Sequence, residues 1–308
     1  MSKTEIIALG TGSAFTMKNW QTNFIVRRNG KNLLIDCGSD VRWAMRDQKI
    51  NFTDIDAVYI SHAHADHIGG MEFLGFTRYF TRKYMLDARR RSGDAPPPIA
   101  LPTLYCAREL VRSIWDHSLR GGMEGLEGVD ADIDTYFNVR PVEKNGSFNW
   151  EGLKFDMVQS LHISAKYCIV DSFGLMFNDT NGKRIYITTD VQFAPETAMK
   201  AYYAESDVIF HDCETMYKSG VHAHYDDLRT LAPKIKAKMR LLHYQDNAAD
   251  PPRPDLFEYW DMIPAENQEE IIARYEVENH NFADWNEKAK KDGFYGFMRP
   301  GLVYSSDE

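Results

Sequence analysis

The sequence predicts a mixed α/β (α+β) fold, on three observations. Short apolar runs rich in β-branched and aromatic residues end in Gly, Asp or Asn turns. Stretches with helical patterning alternate with them. Several of the runs also deliver a His or Asp at their carboxyl ends.

Glu5 to Leu9 is an apolar strand that stops at Gly10-Thr11-Gly12. Phe24 to Arg28 and Asn32 to Asp36 flank Asn29-Gly30, a two-residue hairpin turn because both positions tolerate φ > 0. Val41 to Gln48 reads as a short helix and Ala57 to Ser61 as a buried strand. From about residue 76 to 140 the pattern changes. Arg78, Arg82, Lys83, Arg89, Arg90 and Arg91 sit close together, Pro96-Pro97-Pro98 breaks the chain, and a helix from about Arg108 to Leu119 precedes a Gly-rich stretch at Gly121 to Gly125 and an acidic one ending at Asp134. This segment is expected to be an insertion, partly mobile, packed over one edge of the core. Strands at Lys154 to Leu161, Tyr167 to Phe177 and Arg184 to Thr188 follow. A helix at Pro195 to Ala204, a strand at Val208 to Phe210, a helix at Asp226 to Ala237 and a strand at Arg240 to Leu242 complete a catalytic domain of residues 1–250. Residues 251–308 begin with Pro251-Pro252 and read as an extension packed on that body, since Trp260, Tyr275, Trp285, Phe294 and Phe297 carry too much aromatic area to stay solvated. No internal repeat is visible.

Charge and composition narrow the function. Across 308 residues, 36 Lys+Arg against 45 Asp+Glu give a formal net charge of −9, so stable nucleic-acid binding is not expected. No apolar run is long enough for a membrane span, and the first residues carry no signal or transit pattern. Cys37, Cys106, Cys168 and Cys213 are scattered, which suggests neither a disulfide framework nor a Cys-rich zinc site. A cytoplasmic protein is expected, with a homodimer as its assembly.

Three of the ten histidines fall within six residues, in Ser61-His62-Ala63-His64-Ala65-Asp66-His67. The cluster follows a strand and precedes a helix-like stretch, so its side chains converge on one point instead of splitting to opposite faces. Neutral imidazoles and a carboxylate suit Zn²⁺, with Mn²⁺ second. One loop cannot enclose two metals, so further ligands are expected at strand ends: His162 after Leu161, Asp190 after Thr188-Thr189, and His243 after Leu242.

With these motifs the chain resembles the metallo-β-lactamase superfamily, and within it the ribonuclease Z and cyclic-nucleotide phosphodiesterase branch. The resemblance spans about residues 4 to 250 apart from the insertion. It rests on Leu9-Gly10-Thr11-Gly12-Ser13, Ile35-Asp36-Cys37-Gly38, the H-x-H-x-D-H loop, His162, Thr188-Thr189-Asp190 and His243. It implies a four-layer αββα sandwich with two divalent metal ions, Zn²⁺ first, at one edge between two β-sheets. Carried over by position, His62, His64 and His162 would hold one ion, Asp66, His67 and His243 the other, and Asp190 would bridge them. Antibiotic-hydrolysing relatives lack that bridging carboxylate, and flavodiiron oxidoreductases carry a Glu where His64 stands, so neither activity is expected.

Phosphodiester hydrolysis also needs a proton for the leaving oxygen. In ribonuclease Z-like relatives a loop histidine paired to a carboxylate assists there. His222 resembles that histidine and Asp212 its partner, with Asp66 counted in the catalytic set. His224 is a second candidate, although the helix start beside Asp226 and Asp227 disfavours a charged imidazole. The expected activity is hydrolysis of a small phosphodiester, a cyclic nucleotide or cyclic phosphate. Gln21-Thr22-Asn23-Phe24 and Thr188 to Phe193 are closer to small-substrate phosphodiesterases of the superfamily than to its tRNA-processing members. The alternatives are a ribonuclease Z-like tRNA 3′-processing endonuclease and another metallo-hydrolase, a thioesterase or lactonase.

Overall fold

The computed structural model describes residues 3–92, 97–165, 168–216, 218–249, 264, 268 and 282–307. Its strands are β1 (Glu5–Gly10), β2 (Asn23–Arg28), β3 (Lys31–Ile35), β4 (Ile55–Ile60) and β5 (Thr103–Ala107), then a small ribbon of β6 (Gly125–Leu126) and β7 (Val129–Asp130), then β8 (Asn138–Val142). The second half supplies β9 (Ser147–Trp150), β10 (Leu153–Ala165), β11 (Cys168–Asn178), β12 (Arg184–Ile187), β13 (Val208–Asp212), β14 (Met239–Leu242), β15 (Gly296–Phe297) and β16 (Val303–Ser305). One seven-stranded sheet runs β16-β1-β2-β3-β4-β5-β8 and the other β15-β14-β13-β12-β11-β10-β9.

Read from β16 in the first sheet and from β9 in the second, each has three antiparallel pairings followed by three parallel ones. The two halves thus share a topology that no residue repeat betrays. Parallel strands must be covered on both faces, so an interior one such as β4 is a continuous apolar run from Ala57 to Ile60. In β4, Ala57 and Tyr59 face the second sheet while Val58 and Ile60 face the helices outside. Three apolar layers result. Phe24, Tyr59, Phe155, Phe177 and Phe210 fill the space between the sheets. One outer layer packs α1 (Val41–Asp47), α2 (Ala65–Ile68) and α3 (Met71–Ser92) on the first sheet, and the other holds Tyr203 and Tyr225 against the second. This is the αββα sandwich, and the hairpin turn has Asn29 and Gly30 at φ 52° and 73°.

Several elements differ from expectation. β5 lies inside the stretch read as an insertion, yet it is an interior strand between β4 and β8. Its five residues, next to prolines and a basic cluster, were too short to outweigh their surroundings. The basic cluster lies along the 22-residue helix α3, and Arg89, Arg90 and Arg91 end it, where cations complement the carboxyl-terminal dipole. Gly121 and Gly122 are helical, in Arg120–Met123, after a π turn at Trp115–Leu119. The helix expected over Asp226 to Ala237 is two pieces, Tyr225–Leu228 and Pro233–Lys236, because proline has no N–H to continue the ladder. Near the C-terminus, the helix Phe282–Lys291 places Trp285 against Tyr225 and Phe297, and β15 and β16 each join a sheet. Pro96, Tyr167, Pro251, Pro252, Trp260 and Tyr275 lie outside the described residues. No described helix is long and apolar enough to cross a membrane.

Candidate metal centre

The carboxyl ends of parallel strands from both sheets meet at one edge, the place where open α/β sheets gather ligands. From the first sheet come Asp36 after β3 and the histidine loop after β4. From the second come Asp190 after β12, Asp212 at the end of β13 and His243 after β14. Three of these strand ends leave ordinary backbone space: Asp36, Thr189 and His243 have φ of 59°, 53° and 62°. Left-handed non-glycine residues are sparse and cluster where the surrounding structure forces a side chain inward.

His162 arrives differently from its sequence reading. It does not follow a strand but sits within β10, where the register with β11 slips between Leu161 and Ile163. Leu161 pairs with Asp171 and Ile163 with Val170, so His162 is the extra residue of a bulge. A bulge re-aims a side chain, and this one is turned into the site, buried. The short helix Ala65–Ile68 carries Asp66 and His67, tied to β3 by Cys37 N–H to the His67 carbonyl at 2.8 Å. Gly38 allows that approach, since a Cβ there would stand 2.3 Å from the Asp66 carbonyl.

The seven expected donors form two groups that share Asp190: His62, His64, His162 and Asp190, and Asp66, His67, Asp190 and His243. In the first, His64 Nδ1 lies 2.9 Å from His62 Nε2 and 3.3 Å from His162 Nε2. In the second, His67 Nε2 lies 3.2 Å from Asp66 and 3.3 Å from Asp190 Oδ1.

The outer hydrogen bonds fix which nitrogen faces inward. Ser61 Oγ donates to Asp36 at 2.8 Å, so at 3.1 Å it accepts from His62 Nδ1. His67 Nδ1 donates to Asp36 at 2.7 Å, and His162 Nδ1 to the Val221 carbonyl at 2.9 Å. Thr22 Oγ1 donates to the Gly12 carbonyl, leaving it to accept from His243 Nδ1 at 3.3 Å. His62, His67 and His162 therefore turn Nε2 to the interior, while His243 Nδ1 also lies 3.5 Å from Asp190 Oδ1. The buried Nε2 atoms of His67 and His243 have no hydrogen-bond partner. Unpaired lone pairs crowded beside two carboxylates are the donor set of a divalent metal, and the residues fit one.

Electrostatics separate the two groups. Burial holds His62, His64 and His162 below the usual histidine range, which favours the neutral form a metal donor needs. Burial pulls His67 the same way, but Asp190, Asp66 and Asp36 outweigh it and push it up, so its Nε2 favours a proton that a bound cation would displace. Burial also opposes ionised Asp190, yet His243, His67 and His222 hold its carboxyl well below the ordinary range.

Beside these groups, His222 Nδ1 lies 2.8 Å from Asp212 Oδ2. The same oxygen accepts the Val191 N–H at 2.9 Å, which ties this carboxylate to the Asp190 loop. His224 is elsewhere: its Nδ1 accepts the Asp226 N–H at 3.2 Å and caps the helix Tyr225–Leu228. It belongs to neither donor group. A cavity of about 410 Å³ opens over the site, lined by His64, Asp66, His162, Asp190 and His222 and rimmed by Phe15. A larger groove of about 510 Å³ follows the outer face of α3, past Arg42, Phe73 and Phe80, and holds none of the donors.

Asp36, Ser61, Thr22 and the Val221 carbonyl were not read from sequence as supports of the imidazoles. Only Asp36 left a signal, as a polar residue ending an apolar strand.

A family model described as anti-Pycsar protein Apyc1 matches residues 4–258. The chain belongs to the anti-Pycsar Apyc1 family. The Apyc1 match takes in all seven donors and the His222–Asp212 pair. Among Apyc1 proteins it is similar to that of Paenibacillus harenae, at 34% identity over 239 residues, 77% of this chain and 88% of that one. It is similar also to that of Bacillus phage vB_BsuM-Goe3, at 30% identity over 260 residues, covering 81% and 92%. Among solved structures, the metallo-β-lactamase fold protein YhfI from Bacillus subtilis aligns with TM-score 0.62 and 13% identity over 99% of this chain and 100% of its own. A diphosphatase from the PhnP family aligns with TM-score 0.62 and 18% identity over 98% and 97%. The chain therefore has the metallo-β-lactamase fold.

Proposed function

We propose that this protein is a dinuclear-metal phosphodiesterase that hydrolyses a cyclic nucleotide. The observation that carries the reading is the Asp-backed His222 standing beside two donor groups that share one carboxylate. A structural zinc site is closed by its four ligands, whereas here the groups open on a cavity with a proton donor on its wall. His62, His64, His162 and Asp190 would hold one ion, and Asp66, His67, His243 and Asp190 the other. Zinc is the first choice for such nitrogen and oxygen donors. When bound, two divalent ions supply Lewis acidity toward a phosphoryl oxygen and a water deprotonated near neutral pH.

The chain's own part is the proton. Burial pushes the His222 imidazole toward the neutral form, but the charge and hydrogen bond of Asp212, then Asp190 and Glu214, raise it to about 10. Nearby cations would draw that value down toward neutrality, where a general acid works best. Asp212 fixes the Nδ1 side and so leaves the Nε2 proton free for substrate. As the water oxygen bonds to phosphorus, the bond to the leaving oxygen breaks and that oxygen takes the His222 proton. Glu214 shapes this loop by accepting the Ser219 N–H at 2.8 Å.

Membership of the Apyc1 family supports a small cyclic substrate over tRNA, as does a cavity sized for one nucleotide. The test is to incubate metal-loaded protein with cyclic nucleotides, a linear dinucleotide, precursor tRNA and a thioester, and to resolve the products by chromatography. Conversion of cyclic nucleotides to monophosphates is expected. Turnover of the thioester or the precursor tRNA alone would overturn the reading.

A further inference from the structure

Phe15 stands on the rim of the catalytic cavity with 92% of its surface exposed. Scattered surface apolar residues are ordinary, but this one is held out by a built loop. On one side of it Ala14 gives its carbonyl to Gln21 Nε2 at 3.0 Å, and Ser13 N–H donates to the Tyr244 carbonyl at 3.0 Å. On the other, Thr16 Oγ1 and Met17 N–H both donate to the Asp246 carboxylate, at 2.6 and 3.0 Å. The loop is clamped to the second sheet's end on both sides of the ring, so the backbone that carries Phe15 is fixed at the rim. None of the aromatic pairs among the described residues includes it. The cavity wall supplied by the second sheet carries Ile163 and Val221, both apolar. A flat ring from the first sheet and apolar side chains from the second thus flank the mouth of a site whose floor is polar.

We infer that Phe15 is the stacking platform for the base of the nucleotide substrate. The inference rests on the phosphodiesterase reading above and adds a residue that sets affinity for the base. Stacking on an aromatic face is open to every base, and it acts on the bound substrate and the transition state alike. Its loss should therefore raise KM and leave kcat unchanged.

The experiment compares wild type, Phe15→Ala and Phe15→Trp on two substrates: a 3′,5′-cyclic nucleotide, and the methyl riboside 3′,5′-cyclic phosphate, which has the same reacting ring and no base. For the nucleotide, Phe15→Ala should raise KM about tenfold, with kcat and metal content intact, and Phe15→Trp should restore it. For the baseless compound, all three proteins should have the same KM. An equal rise on both substrates, or no rise on either, would overturn the platform while leaving the activity in place. Failure of wild type to hydrolyse either compound would instead sink the phosphodiesterase reading, and the platform with it.

Discussion

His67 donates through Nδ1 to Asp36 across 2.7 Å, and Asp36 in turn takes the backbone N–H and the hydroxyl of Ser61, each at 2.8 Å. Both carboxylate oxygens of Asp36 are thus acceptors, and a single buried residue sets the tautomers of His67 and, through Ser61, of His62.

An amide cannot replace that carboxylate. In Asp36→Asn, one orientation points the NH2 at the Ser61 N–H, and the other points it at His67 Nδ1 and the Ser61 hydroxyl. The second forces a proton onto the His67 Nε2 intended for metal. Metal affinity should fall about 10- to 100-fold, as it does when outer-shell partners are lost. A competition titration with a chelator measures it. Affinity within twofold of wild type would show that Asp36 does not set the ligands.

For the proton, His222→Ala should lower turnover by about 10²- to 10⁴-fold with metal content unchanged. The loss should shrink for a nitrophenyl ester, whose leaving group scarcely needs protonation. His222 must be protonated to act, so activity falls as pH rises through its pKa. Asp212 is the leading cause that raises that pKa, so Asp212→Asn should move the alkaline fall to lower pH. A profile of kcat against pH reads the shift directly. His224→Ala should leave the profile alone and cost about 1 kcal/mol of stability through the lost helix cap. A large, leaving-group-dependent loss in that variant would reverse the assignment.

The convergence of the candidate donors was legible wherever one follows an apolar strand in sequence, as Asp190 and His243 do, or lies in the dense cluster from His62 to His67. His162 was identified for the wrong local reason. A bulge inside β10, and not a strand end, directs it inward, and a bulge depends on pairing with β11 that no local pattern records. β5 was missed because its burial comes from neighbours on both sides in the sheet, while its own five residues sit among prolines and arginines. The supports of the imidazoles are two hydroxyls, a carbonyl and a carboxylate, and all but Ser61 come from segments distant from the histidine they hold.

Asp40 carries a stability prediction with an unusual sign. Burial, joined by the charge of Asp66, raises its carboxyl to about 6, although it accepts the Gln21 N–H at 2.9 Å. Its folded pKa lies above the unfolded value near 4, so the folded state binds the proton more tightly. Its contribution to stability is therefore present below pH 4 and is lost as pH rises toward 6. Asp40→Asn removes this dependence and should raise the melting temperature of metal-free protein at pH 7 relative to wild type, with the gap closing toward pH 4. An equal gap at both pH values would show that folding does not raise the Asp40 pKa.

Asp190 assigns one oxygen to each donor group. Oδ1 lies 3.3 Å from His67 Nε2 and 3.5 Å from His243 Nδ1, while Oδ2 lies 3.6 Å from His162 Nε2 and 3.8 Å from His62 Nε2. Wild-type protein should bind about two divalent ions per chain, by elemental analysis after dialysis. Asp190→Ala deletes a ligand from both groups at once and should leave fewer than two, with turnover nearly abolished. Asp190→Asn separates the two duties, because its single carbonyl oxygen can serve only one group and its NH2 repels a cation from the other. The Asn variant should therefore retain close to one ion per chain and still lack turnover. Two tightly held ions in Asp190→Asn, or full activity in Asp190→Ala, would show that the groups do not depend on a shared carboxylate.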